Sequence, residues 1–268
     1  MTARRILIIG YGAIGRTLAQ DLAREPERRA VLGVLLRPGS RSLDDLPGEI
    51  HRLTDVAKIQ AFAPDLVVEA AGHGAVREVV PHCLTLGLPV LLSSIGALHD
   101  DDLRQRLTTL ASSHGGRILL PSGALGALDY VRAVRRASDL VLAYESVKPP
   151  AAWTAELQAS GRNPADLTEP LSLFVGTARQ AAASYPQNLN VAAALALAGA
   201  GFDATQVTVT CDPRVAGNTH RVRARSVFGT MEIAIANTPS PDNPKTSWIV
   251  AQALLAAIDQ HFSPIQYL

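Results

Sequence analysis

The chain has only two cysteines, Cys83 and Cys211, far apart in sequence. No CxxC occurs, which excludes a zinc ribbon or a thioredoxin-like redox motif. Two scattered thiols fit a reducing compartment. Charge of one sign is also missing: Lys+Arg 25 against Asp+Glu 24 leaves a net +1. That balance lacks the basic excess of a nucleic-acid binder, although a local patch stays open. Long apolar runs are absent. The longest, from Val191 to Gly201, is Ala-rich and broken by Gly199 and Gly201, whereas a bilayer span needs about 20 apolar residues. Met1 to Arg5 leads into only four apolar residues before Gly10. That is too short for a signal-peptide core and reads as a strand. The expectation is a cytoplasmic protein that binds neither membrane nor nucleic acid.

What is present is apolar sequence in abundance. Hydrophobic residues make up 47% and charged residues 18% of 268 positions, which excludes disorder. The length sets a prior of roughly two domains. Ile6–Ile9 is a continuous apolar run closed by glycine, as in a buried parallel strand. Helical spacing follows over Ala13–Arg24, then a second strand over Ala30–Leu36. Further strands are expected at Leu66–Ala70, Pro89–Leu92 and Arg117–Leu120. Helices are expected at Val56–Phe62, Val76–Leu86 and Asp100–Ser113. Alternation of this kind predicts an α/β fold, a doubly wound parallel Rossmann sheet.

After Pro121 the texture changes. A helix over Leu125–Ala137 precedes strands at Val141–Val147, Leu171–Val175, Gln206–Cys211, His220–Phe228 and Thr230–Ala236, with a helical stretch at Asn190–Ala198. Strands in such close succession suggest an antiparallel sheet in a C-terminal α+β domain. Lys245–Phe262 has apolar residues three and four apart and predicts a closing helix. The expected domains are residues 1–121, completed by the C-terminal helix 240–268, and residues 122–239.

Gly10-Tyr11-Gly12-Ala13-Ile14-Gly15 is GxGxxG placed after a buried strand and at the start of a helix, the context that makes it a dinucleotide fingerprint. Gly10 permits the tight turn, Gly12 lets the backbone approach a pyrophosphate, and Gly15 lets helix and strand pack closely. The pyrophosphate would sit over Ala13, Ile14 and the helix N-terminus. The second strand should end on a carboxylate for the ribose 2′-OH. It ends instead on Leu36-Arg37-Pro38-Gly39-Ser40-Arg41. Arg37, Ser40 and Arg41 either meet a 2′-phosphate, favouring NADP, or form a solvated loop. Two more loops follow strands: Glu69-Ala70-Ala71-Gly72-His73-Gly74 and Ser93-Ser94-Ile95-Gly96. Small residues such as Ala71 and Gly72 would let a cofactor lie close to the backbone, and ordinary turn chemistry accounts for them as well.

Of seven histidines, none forms HExxH, and no metal site is expected. Strand alternation puts His220 with Val222 and Ala224, and Arg221, Arg223 and Arg225 on the other face. His220 is either a satisfied core histidine or a general acid/base. His73 is a rival by position. Lys148, at a strand end, either binds a substrate carboxylate or is an exposed lysine.

GYGAIG at 10–15, VVEAAGHGAV at 67–76, PSGALGALD at 121–129 and NTH at 218–220 together resemble the L-aspartate dehydrogenases, over most of the chain. The resemblance implies an oxidoreductase that uses NAD or NADP to convert L-aspartate to iminoaspartate, which yields oxaloacetate and ammonia. It also implies a link to pyridine nucleotide biosynthesis and a homodimer formed through the C-terminal domain. Under it, His220 is the catalytic histidine, and Ala124 and Asn190 contact the cofactor. Arg37 departs from the acidic residue that favours NAD. Two other readings stay open at this point. One is a nicotinamide-dependent reductase of another small keto or imino acid; the other is a dinucleotide-binding sensor without turnover.

Overall fold

The structure is a computed structural model that describes residues 3–24, 30–40, 45–185, 190–241 and 243–267. Arg41, singled out above, lies outside the described residues. The chain divides into two compact units, residues 1–121 with 251–267, and residues 122–250.

In the first unit, β1 (Arg4–Ile9) leads through the glycine turn into α1 (Ala13–Arg24) and β2 (Ala30–Leu35). Then come β3 (His51–Leu53), α2 (Lys58–Phe62), β4 (Leu66–Glu69), α3 (His73–Glu78), α4 (Val80–Thr85), β5 (Pro89–Leu92), α5 (Asp101–His114) and β6 (Arg117–Leu119). The sheet order is β3-β2-β1-β4-β5-β6, with every pairing parallel. That is the doubly wound dinucleotide-binding order, with its topological switch between β1 and β4. Adjacent residues Leu7 and Ile8 are both fully buried, so the sheet is covered on both faces.

The strand β3 carries no signal of its own in the sequence; three residues at a sheet edge are too few for a period to show. The helix expected over Val76–Leu86 is two helices meeting at Val79. Pro81 explains the break. It lacks an N–H and suits the first turn of a new helix, not the interior of an old one.

The second unit contains α6 (Leu128–Val134), β7 (Val141–Lys148), α7 (Thr154–Ala159), β8 (Leu171–Thr177), α8 (Ala178–Ser184), α9 (Asn190–Ala198), β9 (Gln206–Cys211), β10 (Asn218–Ser226), β11 (Gly229–Asn237), β12 (Pro239–Ser240) and β13 (Asn243–Ser247). Its five-stranded sheet has the order β11-β10-β7-β9-β8. The sheet is mixed, not antiparallel as expected: β7 and β9 run parallel, because β8, α8 and α9 intervene as a crossover between them. Along β10 the expected alternation holds. His220, Val222 and Ala224 are buried, while Arg221, Arg223 and Arg225 are exposed.

The closing helix is α10 (Ile249–Phe262). It begins later than the expected Lys245, and it occupies only part of 240–268, because β12 and β13 pair as a short antiparallel ladder first. Leu254, Leu255 and Ile258 of α10 join Ile8, Leu18 and Val34 in the core of the first unit. Each such side chain contributes about 1.5–3 kcal/mol of burial. Among the described residues no helix is long and apolar enough to cross a membrane.

Candidate active site

The first unit offers a site made of backbone. Gly10 has φ +94°, and a Cβ there would lie 2.7 Å from the Cβ of Ala71. A Cβ on Gly15 would collide with the carbonyl oxygen of Gly10. Gly12, by contrast, has nothing within 4 Å of its missing Cβ among the described residues, so that side of the turn is open to them. Two of the three glycines are thus required by packing and the third faces free space, the pattern a pyrophosphate cradle needs. The turn also brings Ala71, which follows β4, beside Gly10, and Gly72 is the next residue of that loop. Ala13 and Ile14 open α1. Arg37 is exposed just beyond β2, on the strand next to β1, where a ribose 2′ substituent is read in this fold.

The carboxylate of Glu69 holds two of these loops together. Its Oε1 accepts from the backbone N–H of Ala71 at 2.8 Å and of Gly72 at 2.7 Å. Ser94 donates from its N–H to Oε2 at 2.9 Å and from its hydroxyl to Oε1 at 3.0 Å. Glu69 is fully buried. Burial pushes its pKa above the usual carboxylate range, against the hydrogen bonds that pull it down. This role was not read from the sequence; the available signal is a single acid closing the apolar run Leu66-Val67-Val68. His73 opens α3 nearby, its ring centroid 6.4 Å from that of His99. Burial, then His99 and Arg77, hold its pKa below the usual histidine range.

The second unit offers a site made of side chains. On β7, Tyr144, Ser146 and Lys148 fall on one face by strand alternation, and all three are buried. On β10, His220 is opposite Ser146 and Val222 is opposite Tyr144. The Tyr144 hydroxyl lies 2.7 Å from His220 Nδ1, with the two rings stacked at 18°. His220 is 3% exposed, and its Nε2 has no hydrogen-bond partner among the described residues. Burial, helped by the Lys148 charge, lowers the His220 pKa to about 3, so the ring is neutral at ordinary pH. Lys148 is 2% exposed, with its Nζ 5.5 Å from the Trp153 ring centroid. The exposed-lysine alternative is thereby corrected: the strand end turns inward.

Ala124 is tied to the same place. Its carbonyl accepts from Asn237 Nδ2 at 2.8 Å, and Asn237 is the ladder partner of Asn218, two residues before His220. Asn218 Nδ2 in turn donates to Ser247 Oγ at 3.2 Å. The PSGALGA loop and the NTH segment, distant in sequence, are therefore one constellation. Asn190 opens α9 and is half-buried. Tyr144, Ser146 and Asn237 were missed in the sequence, because only strand pairing reveals which residues face His220. Cys83 and Cys211 are both buried and free, and burial pushes the Cys83 thiol up to about 12, which makes it inert. Among the described residues no cluster of His, Cys, Asp and Glu is placed to hold a metal ion.

A doubly wound sheet with this glycine turn, joined in one chain to a buried histidine site, defines a nicotinamide-dinucleotide oxidoreductase that takes NAD or NADP. Comparison with known proteins gives the same class. Residues 10–121 match the family described as homoserine dehydrogenase, NAD binding domain. Residues 129–261 match the family described as aspartate dehydrogenase, C-terminal. L-aspartate dehydrogenase 2 of Bordetella bronchiseptica is 47% identical, covering 97% of each chain. The L-aspartate dehydrogenase of Brucella anthropi is 38% identical, covering 95% of each. The crystal structure of aspartate dehydrogenase from Thermotoga maritima is 26% identical and covers 100% of both chains, with a TM-score of 0.78. The chain belongs to the L-aspartate dehydrogenase family.

Proposed function

We propose that the chain oxidises L-aspartate with NAD or NADP to iminoaspartate, which is hydrolysed to oxaloacetate and ammonia, a reversible reaction able to feed NAD biosynthesis in the cytoplasm. The observation that carries this reading is the buried His220, whose Nε2 has no hydrogen-bond partner among the described residues, beside Tyr144 and Lys148. The family's activity and the membership stated above supply the substrate.

In this reading the cofactor rests on Gly10, Gly12, Ala13, Ile14 and Gly15, with Ala71 and Gly72 beside the turn, Arg37 near the adenosine ribose, and Ala124 and Asn190 as further contacts. When bound, its nicotinamide ring supplies the acceptor for the hydride lost from the substrate Cα. The residues of the second unit do the rest. Lys148 attracts a substrate carboxylate as a point charge in a dry site. His220 Nε2 takes a proton from water while the hydroxyl forms a bond to the imine carbon. The same proton then passes to the nitrogen, the C–N bond breaks, and ammonia leaves as the hydroxyl proton is released and the ketone forms. The second unit thus serves substrate binding and catalysis. The exposed arginine-bearing face of its sheet serves dimerisation.

Steady-state assays with L-aspartate and a panel of other amino acids, run with NAD and with NADP separately, test the reading. Reduced cofactor should form efficiently with aspartate alone. With Arg37 in place of a carboxylate, NADP should be accepted at least as well as NAD. Efficient turnover of a different amino acid, with none of aspartate, would replace the substrate. Cofactor binding with no turnover at all would favour a sensor.

A further inference from the structure

We propose that Tyr144 is a positioning residue that sets the tautomer of His220, its hydroxyl oxygen accepting a hydrogen bond from Nδ1–H so that Nε2 turns a lone pair toward the substrate. This rests on the reading of His220 as the acid/base.

The geometry begins with strand alternation. Tyr144, Ser146 and Lys148 share a face of β7, and His220 faces them across the ladder. Tyr144 sits diagonally from His220, where long aromatic side chains still meet, and the 2.7 Å Oη···Nδ1 contact follows. Both residues are buried, so no solvent competes for Nδ1.

A neutral imidazole carries one N–H and one lone pair, and the partner of one nitrogen decides the state of the other. Were the Tyr144 hydroxyl the donor, Nε2 would carry an N–H in a buried place with no partner among the described residues. An orphaned buried N–H is the rarer and costlier case. It would also leave no lone pair to take a proton from water. With Nδ1–H donating to the phenol oxygen, both difficulties vanish. The phenol then needs an acceptor for its own proton, and Ser146, the next residue on that face, has a buried hydroxyl that makes no hydrogen bond among the described residues and so is available to take it. The arrangement also serves the next step. When Nε2 gains the water proton, the imidazolium forms next to the Lys148 charge that disfavours it. A phenol oxygen on Nδ1–H is the neutral acceptor that offsets part of this cost.

The test is nitrogen NMR of the full-length protein labelled at histidine, with the His220 resonances identified by their loss in His220→Asn. The wild type should show His220 protonated at Nδ1 and bare at Nε2 at neutral pH. In Tyr144→Phe the ring keeps its packing but loses the oxygen, and the spectrum should shift to a tautomer mixture or to Nε2–H. That variant should lose up to about 100-fold in kcat, with the KM for aspartate and the Kd for dinucleotide held within about twofold. A wild-type His220 already protonated at Nε2 would overturn the proposal. So would a Tyr144→Phe protein with unchanged tautomer and unchanged kcat. Failure of the underlying reading looks different: His220→Asn would then turn over aspartate at the wild-type rate, while the wild-type tautomer would still decide whether Tyr144 sets the ring.

Discussion

The two units solve the problem of building a site in opposite ways. In the first, the sheet is parallel and buried on both faces, and its candidate functional surface is the row of turns at the strand ends. The groups that matter there are backbone atoms, and side chains are excluded: Gly10 and Gly15 have no room for a Cβ. In the second, one face of a mixed sheet is buried, and the candidate functional groups are side chains standing on that face, Tyr144 and Lys148 on β7 and His220 on β10. A backbone site tolerates little change of main-chain path but is indifferent to chemistry elsewhere. A side-chain site depends on which residues the strand register places opposite each other. Mutations at the glycine turn and at His220 should therefore separate cofactor binding from chemistry.

The largest separation is expected at His220. His220→Ala should lower kcat by about 10²–10⁴, while titration with dinucleotide returns the wild-type Kd. A matching loss of dinucleotide affinity would erase the distinction between the units. The mirror experiment is Glu69→Gln. Its amide nitrogen would face backbone donors that the carboxylate now satisfies, so two loops lose their common anchor. A loss of about 3 kcal/mol in stability is expected, read by denaturant titration, together with a raised KM for the dinucleotide. The KM for aspartate should change less.

A third test uses pH. The folded His220 titrates at about 3 and an unfolded histidine near its ordinary 6.5. Between those values the unfolded chain holds a proton that the folded one does not, so stability falls as pH drops below about 6.5. His220→Asn abolishes this difference. The stability curves of variant and wild type should run together above pH 7 and separate below it, by up to about 1.4 kcal/mol per pH unit. Curves that stay parallel to pH 4 would mean that the ring is hydrated.

The same contrast explains what the sequence made legible. The glycine turn can be read from Gly10, Gly12 and Gly15 because a backbone site needs a fixed local spacing, and strand, turn and helix are contiguous. The face of β10 that holds His220 was legible for a similar reason, since alternation is local. What pairs with His220 was not. Tyr144 is 76 residues away, and only the β7–β10 register brings it near. The parallel β7–β9 pairing was hidden likewise, because close succession of strands does not show which of them are neighbours. Glu69 was visible as a residue, but its four donors come from two loops that only the fold juxtaposes.

The smallest effect concerns the outer face of the second sheet. Arg221 Nη1 lies 2.9 Å from Glu145 Oε2, and Arg223 Nη2 lies 2.8 Å from Glu232 Oε1. In the Arg223–Glu232 pair the two side chains are 70% and 64% exposed. Exposed ion pairs contribute about 0.2–1 kcal/mol and weaken further with salt. A double-mutant cycle on Arg223 and Glu232 in a monomeric protein should fall in that range and shrink toward zero at high salt. The proposed dimer changes the expectation. If a second copy covers this face, water is removed from the pair, and the coupling should grow with protein concentration as the dimer forms. A small coupling that ignores concentration would leave the face to solvent and remove it from the dimer interface. Such a result would leave the comparison between a backbone site and a side-chain site intact, since neither depends on the outer surface of the sheet.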